Sequence, residues 1–220
     1  TRKESSAASD VYKRQTFNLL DEPWIKVRTL HGDAEVVGLK ELFKRWDKLA
    51  TFDGETPTQN VAIFRLLMAI CIQTIRQFDA WADLSEKEMW EAVSDDAEMG
   101  DEVCAYLEEH RDRFWLISPV TPFFQVADLH TKKGEYKSAA ELVPDAGPSL
   151  FSTQTRETAN QLPLDLAARL LVHRQAYDFS GIKTGVEGDP RIKGGKGYPI
   201  GPGWAGNLGH TVLTGATLKD

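Results

Sequence analysis

Ten of the 17 glycines in this 220-residue chain fall in one stretch, residues 181–209, GIKTGVEGDPRIKGGKGYPIGPGWAGNLG. Glycine loses more conformational entropy on folding than any other residue and packs no side chain, so this density needs a physical reason. A flexible linker is one such reason, but linkers lack large apolar anchors, and this stretch contains Tyr198, Trp204 and Leu208. We therefore expect an ordered, glycine-punctuated loop whose backbone turns tightly or approaches another molecule closely.

Basic side chains accompany these glycines. The stretch contains Arg191, Lys193 and Lys196, as well as Lys183, against only Glu187 and Asp189. Backbone amides near glycine, together with Lys and Arg, receive phosphates or the edge of a nucleic-acid groove. We therefore treat Arg191, Lys193 and Lys196 as candidate nucleic-acid contacts. The residues alone favour nucleic-acid contact and a purely structural loop about equally.

Two phosphate-binding motifs are approximated in this stretch, but neither meets all the requirements of its motif. Gly195 and Lys196 match the end of a P-loop, but Gly197 stands where Ser or Thr is required. A GxGxxG match begins at Gly201, but Pro202 interrupts the turn and no helix is predicted to follow. An enzyme that binds a phosphate or nucleotide through the basic loop 181–209 is the alternative function.

Composition limits the class of protein. Hydrophobic residues make up 41% and charged residues 27% of the chain, as in ordinary globular domains. The net charge of −7 counts against a protein that binds nucleic acid over its whole surface, but it permits a local basic face. The two cysteines form no CxxC pattern, which favours a reducing cytoplasm. No run of about 18 apolar residues is present, so we expect no membrane span.

The best-supported element begins at Thr56. Thr56 can cap a helix, Pro57 suits its first position, and Gln59 can complete a capping box. We predict a helix from here to about residue 78 that lies in the core. Its apolar surface consists of Val61, Phe64, Leu67, Ala69, Ile70 and Ile72.

Hydrophobic periodicity and turn residues predict the other elements. The predicted strands are two within residues 17–27, followed by 35–38, 114–117, 123–126, 211–213 and 216–218. The predicted helices are 39–49, 85–93, 97–113 and 163–177, the last with Leu166, Leu170 and Tyr177 facing inward. This mixture predicts a single α+β domain over residues 16–220, with short strands, several helices and glycine-rich irregular loops. Residues 1–15 lack periodicity and are expected to be a disordered or extraneous leader.

Catalytic and metal-binding patterns are scarce. The five histidines form no HxxxH or HExxH motif, and no GxSxG or DxDxDG sequence is present. The acidic residues between positions 95 and 109 are interpreted as a solvated helix face, with a carboxylate metal site as the less favoured alternative. We therefore expect no metal, no cofactor and no catalytic residues.

Several segments together resemble one known family. The sequences FNLLDEPWIKV, PTQNVAIFRLL, PFFQV and LLVHRQAYDFSGIKTG, followed by GDPRIKGGKGYPIGPGWAG, resemble the large subunit (CasA) of the type I-E CRISPR Cascade complex. The similarity begins near Phe17 and runs to the end of the chain. The resemblance implies an α+β N-terminal domain without catalytic activity. It also implies that the family's C-terminal helical bundle is absent from this chain.

The resemblance also implies partners and sites. Family members work with crRNA, other Cascade subunits and target double-stranded DNA, whose flanking motif they help to recognise; the full-length protein recruits a helicase-nuclease. A family loop that contacts guide RNA or the flanking motif corresponds here to residues 127–140. Its root is Phe123, Phe124 and Gln125, and its cations are Lys132, Lys133 and Lys137. The family's glycine loop corresponds to Gly147, Pro148 and Ser149.

Overall fold

Residues 15–77, 84–95, 98–131, 133–134, 136, 138–143, 161–178, 182–190, 192, 196–197 and 210–220 are described in the computed structural model. The strands are β1 (Thr16–Asn18), β2 (Ile25–Thr29), β3 (Ala34–Val37), β4 (Leu49–Phe52), β5 (Trp115–Ile117), β6 (Lys183–Thr184) and β7 (Lys196–Gly197). The helices are α1 (Leu39–Arg45), α2 (Pro57–Ile75), α3 (Glu86–Asp95), α4 (Met99–Glu109) and α5 (Leu164–Tyr177). Short 3-10 turns lie at Trp46–Lys48, Arg111–Arg113 and Ala139–Leu142. The predicted α+β class is confirmed.

In the described part of the chain, the strands form three small antiparallel sheets. The order β3-β2-β4 forms one sheet, β1 pairs with β5, and β6 pairs with β7. Ile25 lies opposite Val37, which places both apolar side chains in the core. The pairing of Asn18 with Trp115 joins chain segments almost a hundred residues apart. The small sheets are therefore held in place by the helices and by contacts distant in sequence.

Trp24 occupies the centre of the core. Its side chain is fully buried, and its indole Nε1 donates a hydrogen bond to the Leu19 carbonyl at 3.0 Å. The same carbonyl accepts from the Leu39 amide at 3.1 Å, at the start of α1. A buried indole needs a partner for its N–H, and this carbonyl provides it. The turn after β1 is thereby tied to both β2 and α1.

Helix α2 begins as the sequence predicts. The Thr56 hydroxyl accepts from the Gln59 amide at 3.2 Å, and Pro57 occupies the first turn. The Gln59 side chain accepts from the Glu55 amide at 3.1 Å, one residue before the position expected for a capping box. Helix α2 packs against α4 and α5. By length and composition alone it could cross a membrane, which is weak evidence because core helices pass the same test.

The buried face of α2 differs in part from the predicted one. Leu67 and Ile70 lie in the core as expected, and Ile63 is fully buried. Ala69 is exposed, however, and 43% of Ile72 is exposed. An apolar groove of about 360 Å³ on this side, bounded by α1, α2, α3 and residues 218–220, leaves Ile72 partly uncovered.

Two boundaries near the sheet and α4 differ from expectation. The helix predicted over residues 39–49 ends at Arg45, and Leu49 is the first residue of β4. Leu49 pairs with Thr29 and is fully buried, so pairing with the sheet overrides its helical periodicity. The helix predicted over residues 97–113 is shorter and ends at Glu109, before a 3-10 turn.

Two predicted strand regions are wrong. Residues 123–126 form a turn, because Phe124 has a φ of +53° and the Gln125 amide bonds to the Pro122 carbonyl at 3.1 Å. Residues 211–213 and 216–218 form no strand pair. The amides of Ala216 and Thr217 instead donate to the Asp220 carboxylate, each at 2.9 Å. A local side-chain turn therefore replaces the expected ladder.

Candidate nucleic-acid interface

Phe123 anchors the candidate loop in the core. Only 7% of Phe123 is exposed, and its ring stacks on that of Phe114 with centroids 5.7 Å apart. Its amide donates to the Trp115 carbonyl of β5 at 2.8 Å. The ring is therefore enclosed by protein. Phe123 acts as the root of the loop, and it offers no free aromatic face to a ligand.

Phe124 is the residue of this pair that reaches the surface. It is 45% exposed, and its ring lies 4.3 Å from that of Phe123, centroid to centroid. A positive φ is unusual for a bulky residue and needs support from its surroundings. Gln175 of α5 provides one such support, because its Nε2 donates to the Phe124 carbonyl at 3.0 Å. The backbone conformation therefore presents the Phe124 ring outward on a fixed base.

Gln125 uses its side chain within the protein. Its Nε2 donates to the Leu116 carbonyl at 2.8 Å and to the Phe123 carbonyl at 3.2 Å. Both hydrogens of the amide nitrogen therefore have partners. Gln125 stabilises the turn between β5 and the loop, and only its carbonyl oxygen is available to a ligand.

An open groove of about 560 Å³ lies beside the Phe124 ring. Large apolar side chains border it and are well exposed: Val126 at 67%, Leu129 at 46% and Tyr136 at 72%. Gln175 borders it as well, next to the Phe124 carbonyl. Exposed aromatic rings beside an open channel are the surfaces on which unpaired bases stack.

Of the candidate basic residues, Lys133 and Lys196 lie among the described residues. Lys133 is exposed in the loop, and Lys196 is exposed in β7. β6 and β7 pair with Thr184 opposite Lys196, so a short antiparallel strand pair lies within the glycine-rich stretch. The other candidate residues lie outside the described residues: Lys132, Lys137, Gly147, Pro148, Ser149, Arg191 and Lys193.

The described part of the loop carries both signs of charge. Asp128 is strongly exposed beside His130, and the Glu187 carboxylate approaches the same imidazole. The Glu187 amide also donates to the His130 carbonyl at 3.3 Å. The loop and the glycine-rich stretch therefore meet at His130 and Glu187, two residues that are more than 50 positions apart in the sequence.

The sequence analysis missed a buried cation on α5. Arg169 is 2% exposed, and its guanidinium binds both carboxylate oxygens of Glu55, at 3.0 and 3.1 Å. It also donates to the Trp24 carbonyl at 2.7 Å and to Asp165 at 3.1 Å. The only sequence signal was an arginine within the apolar run LAARLLV. Of the residues predicted to face inward, Leu170 is buried, whereas Leu166 and Tyr177 are half-buried. Ala168, Leu171 and Val172 are also buried.

Burial raises the pKa of Glu55, but hydrogen bonds from Arg169 and Lys26 outweigh this effect and lower the pKa to about 2. Glu55 is therefore ionised at neutral pH. The Arg169 network links α5 to β2 and to the residues before α2. It positions the helix that supports Phe124 through Gln175.

The side chains of His173 and Cys71 fit structural roles. His173 Nε2 lies 3.0 Å from the Thr58 hydroxyl, and burial, aided by the nearby Arg174 charge, lowers the pKa of His173. Burial raises the pKa of the Cys71 thiol to about 12, so it stays protonated and unreactive at neutral pH. Among the described residues, no group of three or more His, Cys, Asp or Glu side chains is arranged to hold a metal ion.

Comparison with known proteins gives consistent matches. The family model for CRISPR-associated protein Cse1 matches residues 18–220. CRISPR-associated protein CasA/Cse1 from Thermus thermophilus is 34% identical over 175 residues, which cover 76% of this chain and 33% of that protein. Thermobifida fusca Cse1 is similar in structure, with a TM-score of 0.79 and 41% identity, over 92% of this chain and 37% of that chain. For Cse1 from Acidimicrobium ferrooxidans the TM-score is 0.72 and the identity 32%, with the same coverage of 92% and 37%. The chain spans about a third of the length of these relatives.

Proposed function

Because the chain belongs to the CRISPR-associated Cse1 family, we propose that it is a non-catalytic subunit of a crRNA-guided antiviral surveillance complex of the Cascade type. It contacts guide RNA and neighbouring subunits, and it helps to recognise the motif that flanks the target in foreign double-stranded DNA. In such complexes base pairing reads the target sequence, while protein reads a short flanking motif. Recruitment of a helicase-nuclease belongs to the full-length protein. The compartment is the cytoplasm, where both free thiols would remain reduced.

The observation that supports this function is the half-exposed Phe124 ring beside an open apolar groove. Phe123 fixes where the loop leaves the core, and Gln175 holds the Phe124 backbone. A base placed in the groove would stack on the Phe124 ring, while Lys133 lies in the same loop to neutralise phosphates. Rigid placement of one aromatic ring reduces the entropy lost on binding.

A nucleotide-binding enzyme that uses the basic loop 181–209 is the weaker alternative. The strand pair β6–β7 of that loop contains Lys196, but Gly197 follows where a P-loop requires Ser or Thr. Turnover of a nucleotide by the purified chain, abolished in Lys196→Ala, would favour this alternative. The family match favours the non-catalytic function.

The test is binding of the chain to an immobilised, crRNA-loaded Cascade complex that lacks its large subunit. Phe124→Leu keeps an apolar side chain but removes the π-face, and base stacking is worth about 1–3 kcal/mol, so we expect binding to weaken about five-fold or more. Phe124→Trp keeps a stacking face and should bind nearly as well as the parent. Leu30→Ala, at a residue 54% exposed in the turn after β2, is the control and should leave binding unchanged.

The lysines are tested in the same assay across a salt series. Changing Lys132, Lys133 and Lys137 to alanine should weaken binding and make its salt dependence shallower, by nearly one unit of logarithmic slope for each phosphate that the variant no longer neutralises. Unchanged folding is verified by circular dichroism. If the parent chain fails to bind the complex, the proposed subunit role is wrong. If Phe124→Leu and the lysine variant bind like the parent, this loop does not touch the nucleic acid.

A further inference from the structure

Two glutamine side chains border the groove beside Phe124, and both use their amide nitrogens within the protein. Gln125 Nε2 donates to the carbonyls of Leu116 and Phe123 at 2.8 and 3.2 Å. Gln175 Nε2 donates to the Phe124 carbonyl at 3.0 Å. A carbonyl oxygen only accepts hydrogen bonds, so these contacts fix which end of each amide faces the backbone. The bonds leave the Oε1 atom of each side chain as an acceptor for a ligand.

Asp128 adds a third acceptor to the same groove. Its side chain is 88% exposed, and it is the single charged residue among the described residues that line the groove. A carboxylate accepts hydrogen bonds and donates none. The hydroxyls of Ser118 and Tyr136 also border the groove, and a hydroxyl can rotate to donate or accept. The fixed side-chain groups are therefore three acceptors against one donor, the second N–H of Gln175.

Nucleobases differ in how well they match such a groove. Adenine and cytosine carry an exocyclic amino group, which donates hydrogen bonds at the edge of the base. Uracil, like thymine, has a carbonyl oxygen at that position, and this oxygen would face the acceptors of the groove. A phosphate inside the groove would be repelled by the Asp128 carboxylate. The groove therefore suits a neutral base that offers donors.

We infer that this groove selects an unpaired nucleobase with an exocyclic amino group. The base stacks on the Phe124 ring, and its amino group donates to the acceptors of Gln125, Gln175 and Asp128. This selection rests on the proposed nucleic-acid contact and goes beyond it, because stacking alone accepts every base. Gln175 then has two roles: its nitrogen positions Phe124, and its oxygen determines which base edge is preferred.

Binding of pentacytidylate and pentauridylate to the purified chain tests this selection. The two probes carry the same phosphates, and uracil has a carbonyl oxygen where cytosine has its amino group. We expect pentacytidylate to bind about three- to ten-fold more tightly, the effect of one net hydrogen bond. An NMR titration gives both affinities. Following the backbone amide of Phe124 and the side-chain amides of Gln125 and Gln175 shows whether binding occurs in the groove.

The ratio of the two affinities separates base selection from positioning. Phe124→Leu should weaken both probes and keep the ratio, because it removes only stacking. Gln175→Leu should weaken both probes and also move the ratio towards one, because it removes an acceptor. Asp128→Asn should move the ratio in the same direction, because an amide nitrogen replaces one acceptor oxygen. Asp33→Asn makes the same exchange in the exposed turn after β2 and should leave the ratio unchanged.

The side chains changed in these variants are exposed, so the variants should fold, and circular dichroism verifies this. Equal affinity of the parent for the two probes would overturn the selection, as would binding of neither probe in the groove. A preference that persists unchanged in both Gln175→Leu and Asp128→Asn would overturn it as well. The proposed function fails separately, if the parent does not bind the crRNA-loaded complex. A parent that binds this complex but prefers neither probe retains the function and loses the selection.

Discussion

Replacing Arg169 with methionine is the most demanding test of how this fold is held together. The guanidinium is 3% exposed and makes four hydrogen bonds, to two oxygens of Glu55, to Asp165 and to the Trp24 carbonyl. Methionine fills a similar volume but donates nothing. The variant therefore leaves the Trp24 carbonyl without this donor and Glu55 without its bidentate partner.

These four bonds give the size of the expected loss. Removing one partner of a buried ion pair costs about 3–5 kcal/mol, and leaving a buried carbonyl unsatisfied costs about 1–3 kcal/mol. Glu55 is 33% exposed and keeps Lys26 at 2.9 Å, which reduces the first of these costs. We expect Arg169→Met to lower the free energy of unfolding by about 3 kcal/mol in total.

Urea denaturation followed by tryptophan fluorescence measures this loss, because Trp24 is buried beside the network. Arg174→Met is the matched control on the same helix: its 2.9 Å bridge to Asp178 is half-exposed, and breaking it should cost at most about 1 kcal/mol. Adding Glu55→Gln to Arg169→Met should recover part of the stability, because the partly buried carboxylate that has lost its bidentate partner no longer carries a charge. If Arg169→Met and Arg174→Met are equally stable, the network does not organise the core as argued.

Two further predictions concern the core and its response to acid. Ile63→Ala should lower the free energy of unfolding, measured by chemical denaturation, by about 3–5 kcal/mol. Leu67→Ala should lower it by about 2–3 kcal/mol, because Leu67 already borders a groove, and Ile72→Ala by under about 1 kcal/mol. If the three losses fall in the reverse order, the core is wrongly assigned. Because the folded-state pKa of Glu55 is lowered from 4.5 to about 2, its stabilisation is complete above pH 4.5 and is lost as the pH falls towards 2. Solvent screening should reduce this loss to about 1–2 kcal/mol. If the free energy of unfolding of Glu55→Gln falls with decreasing pH as steeply as that of the parent, the prediction is wrong.

Local signals in the sequence determined the starts of two helices, α2 and α3. Thr56 and Pro57 locate the start of α2 to within a few residues. Ser85 and Glu88 do the same for α3, where the Ser85 amide donates to the Glu88 carboxylate at 2.9 Å. These bonds form between neighbours, so they depend little on the rest of the fold. The family resemblance predicts a contact loop at residues 127–140 because its motif is contiguous, and the contact role stays a prediction. It did not assign the separate roles of Phe123 and Phe124.

Tertiary structure decided the features that depend on distant partners. Leu49 is a strand residue because β2, about 20 residues earlier, pairs with it. Arg169 is buried because Glu55 and Trp24, more than 100 residues away, satisfy its donors. Phe124 reaches the surface because its neighbours β5 and α5 hold the turn. A single sequence records propensity and local spacing, whereas the partners of a buried charge or a strand edge are set only when the chain folds.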